Sequence, residues 1–115
     1  MTVTIYHNPR CSKSRNTLEL IRAKGIEPTV VEYLKTPPSA AELDAILNQL
    51  DKEPREILRK TEAAYKEAGL DNASLSRKEL IAAMAAHPSM IERPIVVANG
   101  KAALGRPPEN VLDIL

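Results

Sequence analysis

Cysteine is almost missing from this chain: there is one, Cys11, in 115 residues. A disulfide within the chain is excluded, and so is a cycle in which a second cysteine of the same chain resolves the first. An excess of charge is missing too. Sixteen Lys and Arg against fifteen Asp and Glu leave a net charge of +1 at pH 7. That argues against a general nucleic-acid or membrane-surface protein, because no basic surplus is available to neutralise phosphates. No apolar run approaches the ~18–20 residues of a membrane span. Histidine and cysteine do not cluster, so no metal site is expected. A strand pattern begins within two residues of the first position, which leaves no room for a signal peptide, and a reducing, cytoplasmic location is the expectation. There is no internal repeat, linker or low-complexity segment, and residues 1–115 read as a single domain.

What is present is concentrated in residues 3–25. Val3 and Ile5 alternate with Thr2, Thr4 and Tyr6 as a strand. Asn8-Pro9 breaks it, and the loop delivers Cys11 to the start of a helix expected from about Ser12 to Lys24, closed by Gly25. Unpaired N–H groups and the positive dipole end at a helix start favour a thiolate. Arg10, Lys13 and Arg15 flank the sulfur, His7 lies just upstream, and Ser12 and Ser14 could cap the helix or donate to the anion. Most lone cysteines are small buried hydrophobes, but those sit in apolar patterns rather than among Arg, Ser and Lys.

Farther along, Thr29–Tyr33 reads as a second strand, rich in β-branched residues, completing a βαβ unit with parallel strands. Residues 39–92 read as helical. Ser39 with Glu42 and Ser76 with Glu79 have capping-box spacing, and Pro54 suits the first turn of a helix carrying Ile57, Leu58, Arg59 and Lys60. Strands return at Ile95–Ala98 and Lys101–Leu104 around Asn99-Gly100, a strong hairpin signal, before a short helix over Glu109–Leu115. The order β-α-β, helices, β-β-α predicts an α/β fold: a thioredoxin-like mixed sheet with a helical insertion at about 39–92.

Cys11-Ser12-Lys13-Ser14 has C-x-x-S spacing. Serine cannot resolve a mixed disulfide, so Cys11 can attack once and an external thiol must complete the cycle. Phosphatase chemistry fits poorly, because Arg15 follows Cys11 after only three residues, too few for a loop that wraps an oxyanion. Arg59, Arg93 and Arg106 also stand out. Most arginines are solvated charges, yet guanidinium forks near one thiolate would make an arsenate, phosphate or sulfate site.

Residues 7–18, Leu58-Arg59-Lys60, Glu92-Arg93-Pro94-Ile95-Val96-Val97 and Gly105-Arg106-Pro107 together resemble the glutaredoxin-dependent arsenate reductases, collinearly across nearly the whole chain. The resemblance implies Cys11 as nucleophile and Arg59, Arg93 and Arg106 as an oxyanion-binding triad, with His7, Ser14 and Arg15 supporting the thiolate. It implies arsenate as substrate, glutathione as co-substrate, glutaredoxin as partner, no bound cofactor and a monomer. The resemblance is to the short forms without a longer C-terminal tail, which occur outside arsenic-resistance operons. Two other readings remain: a thioredoxin-like redox regulator, and a monothiol glutathione-dependent oxidoreductase without arsenate activity.

Overall fold

The alternation at the start of the chain becomes strand β1, Val3–His7, with Val3, Ile5 and His7 buried and Thr4 and Tyr6 less so. The computed structural model describes residues 2–115. Strand β2 (Thr29–Glu32) pairs parallel to β1, with Ile5 opposite Val30. Strand β3 (Ile95–Ala98) runs antiparallel on the other side of β1, with Ile5 opposite Val96, and β4 (Lys101–Leu104) closes the order β2-β1-β3-β4. The mixed sheet of the thioredoxin-like plan is therefore the one observed. Asn99 and Gly100 connect β3 to β4 in two residues with φ of 55° and 72°. These positive angles are the type I′ geometry that suits the strand twist and that Asn-Gly tolerates.

Helix α1 (Ser12–Ala23) and a C-terminal 3-10 segment (Pro108–Ile114) bury Ile21 and Val111 against Val3, Ile5, Val96 and Ala98. Each fully buried aliphatic side chain contributes about 1.5–3 kcal/mol, so this cluster anchors α1, and with it the residue at its start, to the sheet. The buried stripe of α1 is Ser14, Thr17 and Ile21. Leu18 packs against the same cluster but is only partly buried. The short C-terminal helix expected is present, as the 3-10 segment Pro108–Ile114.

Chain contacts separate two units, residues 1–36 with 93–115, which carry the sheet, and residues 37–92. Within the second, α2 (Ala40–Leu50) and α4 (Arg77–Ala86) both begin with the capping boxes expected, Ser39 with Glu42 and Ser76 with Glu79. Leu43, Ile46, Leu47, Leu80, Ile81 and Met84 fill their buried faces. A five-residue helix, α3 (Ala63–Glu67), lies between them in sequence. The helix expected from Pro54 is only a 3-10 turn, Pro54–Ile57. Proline at a first helical position fits either form, and here the chain extends at Leu58 to pair antiparallel with Ile91. Arg59 therefore leaves an extended segment, not a helix. No helix among the described residues is long and apolar enough to cross a membrane.

Candidate active site

The loop between β1 and α1 is held by its own main chain. The Cys11 N–H donates to Asn8 O at 3.0 Å, the Arg10 N–H donates to Asn8 Oδ1 at 3.0 Å, and the Arg15 N–H donates to Cys11 O at 3.0 Å as the first helical bond. Cys11 itself is the N-cap of α1, with φ −95° and ψ 122° and no conventional side-chain cap. It is partly exposed. An N-cap side chain lies where the second and third amides of the helix point. Here that side chain is a sulfur.

Burial by itself pushes the Cys11 thiol up. The Ser14 N–H, the Arg93 charge, the Lys13 N–H and a hydrogen bond from the Arg93 side chain outweigh it and bring the thiol below its ordinary value. The helix-start lever read from the sequence thus acts through two named amides. Ser12, expected as a cap, is exposed and lies inside the helix.

Ser14 is fully buried, and its hydroxyl is engaged away from the sulfur. Its Oγ lies 2.6 Å from His7 Nδ1 and accepts the Asn8 N–H at 3.0 Å. Burial lowers the His7 pKa, Glu32 opposes this, and the positive charges of Arg22 and Arg15 add to it. The proton count that satisfies all three groups has Asn8 N–H donating to Ser14 Oγ and the Ser14 hydroxyl donating to Nδ1 of a neutral His7. His7 and Ser14 thus tie the end of β1 to the first turn of α1. Arg15 is exposed and donates from Nη1 to Pro9 O at 2.8 Å, bracing the loop.

Arg93 precedes β3, and its Nε and Nη1 nitrogens are buried. The Arg93-Pro94 and Arg106-Pro107 peptides are both cis. Arg106 is exposed and donates from Nη1 to the Arg93 carbonyl at 3.3 Å. Gly105, just before it, donates its N–H to Pro94 O at 2.9 Å and packs so closely that a Cβ would fall 2.7 Å from Pro94 Cγ and against the Thr17 hydroxyl. Thr17 is fully buried and donates to Lys13 O at 2.7 Å. Thr17 and Gly105 lie within the stretches that carry the resemblance, but the sequence assigns neither a role of its own. The signal for Thr17 was its place three residues after Ser14 and four before Ile21, on the buried stripe of α1.

Cys11, His7, Ser14, Arg15, Arg93 and Arg106 all belong to the sheet-bearing unit. Arg59 belongs to residues 37–92. There its N–H donates to Met90 O at 2.7 Å, and its guanidinium pairs with Glu62 and lies 3.9 Å from Glu92 Oε1. Chemically, the Cys11 surroundings set two amides and a guanidinium beside a thiol whose ionisation they favour, and guanidinium forks also suit oxyanions.

Residues 6–114 match the model of the ArsC family. The chain is 56% identical over 114 residues to the uncharacterized protein YfgD of Escherichia coli strain K12, covering 98% of this chain and 96% of that one. It is 55% identical over 115 residues to an arsenate reductase of Rhizobium meliloti strain 1021, covering 100% and 82%. Among solved structures, an arsenate reductase from Vibrio cholerae superposes with a TM-score of 0.97 at 55% identity, covering 100% of this chain and 98% of that one.

Proposed function

Since this chain belongs to the ArsC family, we propose that it is an arsenate reductase in which Cys11 is the nucleophile and glutathione and glutaredoxin are the external reductants. The observation that carries this reading is the Cys11 sulfur at the N-cap of α1, its anion favoured by the Ser14 and Lys13 amides and by Arg93.

In the first step the Cys11 thiolate attacks arsenic of HAsO4(2−). With two protons taken up, one oxygen leaves as water and a Cys11–S–As(V) bond forms. Arg93 and Arg106 balance charge on the arsenate oxygens, the role in which guanidinium groups suit tetrahedral oxyanions. The family resemblance adds Arg59 as a third such group. In the second step glutathione sulfur attacks the Cys11 sulfur. The S–As bond breaks, its electron pair stays on arsenic, and arsenite leaves as As(III). Cys11 is left in a mixed disulfide with glutathione. With no second cysteine in the chain, glutaredoxin removes the glutathione and restores the thiolate. The neutral His7 and the Ser14 hydroxyl keep the loop in place through these steps rather than exchanging protons with the sulfur.

The test is arsenate-dependent NADPH oxidation coupled through glutathione, glutaredoxin and glutathione reductase. Wild type is expected to turn over and Cys11→Ser to be inactive. Turnover by Cys11→Ser, or none by wild type whose Cys11 alkylates as a thiolate, would refute the assignment. Parallel assay with hydroxyethyl disulfide separates it from a general monothiol oxidoreductase, for which that substrate and not arsenate would be turned over.

A further inference from the structure

A carboxylate occupies the arginine that the proposed oxyanion would need. The antiparallel pair Leu58–Ile91 is flanked by two main-chain bonds, Arg59 N–H to Met90 O and Glu92 N–H to Ile57 O, each 2.7 Å. This short ladder sets Arg59 and Glu92 on facing segments, with Arg59 Nε 3.9 Å from Glu92 Oε1. A tighter partner is Glu62, whose carboxylate pairs with Arg59 Nη1.

Glu62 stands at the N-cap of α3, with φ −72° and ψ 138°. A carboxylate there ordinarily accepts a first-turn amide, as Ser39 and Ser76 do at the starts of α2 and α4. The Glu62 side chain makes no such bond. It is turned to the guanidinium instead. The Arg59 and Glu62 side chains are only 26% and 34% exposed, so solvent screens the pair less than a surface ion pair. Glu62 thus offsets the guanidinium charge that would otherwise draw an anion to Arg59.

We propose that Glu62 is a built-in competitor for the oxyanion at Arg59. Its carboxylate holds the guanidinium and neutralises it. Substrate binds by exchanging a carboxylate for arsenate oxygens on the same fork, a swap that the planar N–H pairs permit because both partners present two oxygens. Glu62 thereby sets the apparent affinity for the oxyanion. The proposal rests on the reading that Arg59 binds substrate.

The experiment follows protection of Cys11 from iodoacetamide by inorganic phosphate, a non-reducible oxyanion, and by arsenate. In Glu62→Gln the half-protecting concentration is expected to fall about three- to tenfold, the worth of a partly shielded ion pair. Glu92→Gln, at the longer distance, is expected to lower it less. Glu62→Ser removes the charge while restoring an oxygen cap to α3, and is expected to give the same fall should the glutamine variant fold poorly. In an Arg59→Ala background Glu62→Gln should have no effect. An unchanged or raised concentration in Glu62→Gln overturns the proposal, as does an equal fall in the Arg59→Ala background, which would make the effect one of general charge. If neither oxyanion protects wild type while Cys11 alkylates normally, the oxyanion reading itself fails, and the proposal with it.

Discussion

Removing the Ser14 hydroxyl should unfasten the loop without disarming the thiol. Ser14→Ala leaves two groups without their partner, the Nδ1 of His7 and the N–H of Asn8, which now meet Ser14 Oγ at 2.6 and 3.0 Å. Ser14 is fully buried and His7 only 6% exposed, so water does not readily replace the lost oxygen. A buried group left unsatisfied costs about 1–3 kcal/mol, and since the His7 contact is buried and the Asn8 contact only partly so, the expected loss is about 2–4 kcal/mol. With a urea slope of about 2 kcal/mol/M, the middle of the range for a small domain, the unfolding midpoint should drop by roughly 1–2 M. A double-mutant cycle with His7→Leu isolates the shared part. Replacing both partners by apolar groups is far less costly than removing one, so the two substitutions should couple by at least ~1 kcal/mol. Cys11 alkylation by the folded variant should change by less than about threefold, because the Ser14 amide and not its hydroxyl faces the sulfur. A stability loss under ~0.5 kcal/mol would refute the accounting. A tenfold or larger fall in alkylation, the size expected on losing a hydrogen bond to a charged group, would show that the hydroxyl solvates the thiolate directly.

The remaining predictions are shorter. Cys11 is expected to titrate with iodoacetamide below the ordinary thiol range, and Arg93→Gln should move the midpoint upward, since that guanidinium favours the anion; an unmoved midpoint would exclude Arg93 from the thiolate's environment. His7 is held below its unfolded value chiefly by burial, so the unfolded chain binds the proton first, and stability should decline as the pH falls below about 6.5. That decline should be weaker in His7→Gln, and an identical pH profile would contradict it. Ser39→Ala and Ser76→Ala should each cost about 1 kcal/mol in urea unfolding by removing one capping box; a loss near zero in both would show that these helix starts hold without their caps.

What could be read from the sequence was local. The β1 alternation, the Asn99-Gly100 turn and the two serine caps depend on residues within a few positions of one another, and each appears where expected. The helix after Pro54 failed for the opposite reason. Its end is decided by the pairing of Leu58 with Ile91, thirty-odd positions away, and proline's preference for a first turn cannot distinguish four residues from eight. At the site, a cysteine at a helix start among basic residues was legible, because position on the helix and residue type were both visible. How the levers divide was not. Ser14 reaches His7 only after the loop has folded back, Arg15 turns to Pro9 O, and the acidic partners of Arg59 lie three residues on and on a facing segment. Those are facts of tertiary geometry, which spacing alone does not carry.

The sulfur at the beginning of α1 has a thermodynamic corollary for the whole cycle. Any bond made to it, whether to arsenic, to carbon or to another sulfur, discharges the anion toward which the Lys13 and Ser14 amides and Arg93 are directed. A thiol that ionises easily is a better leaving group from its own disulfide. In the proposed cycle the same two amides and Arg93 would therefore favour release of Cys11 from its glutathione adduct.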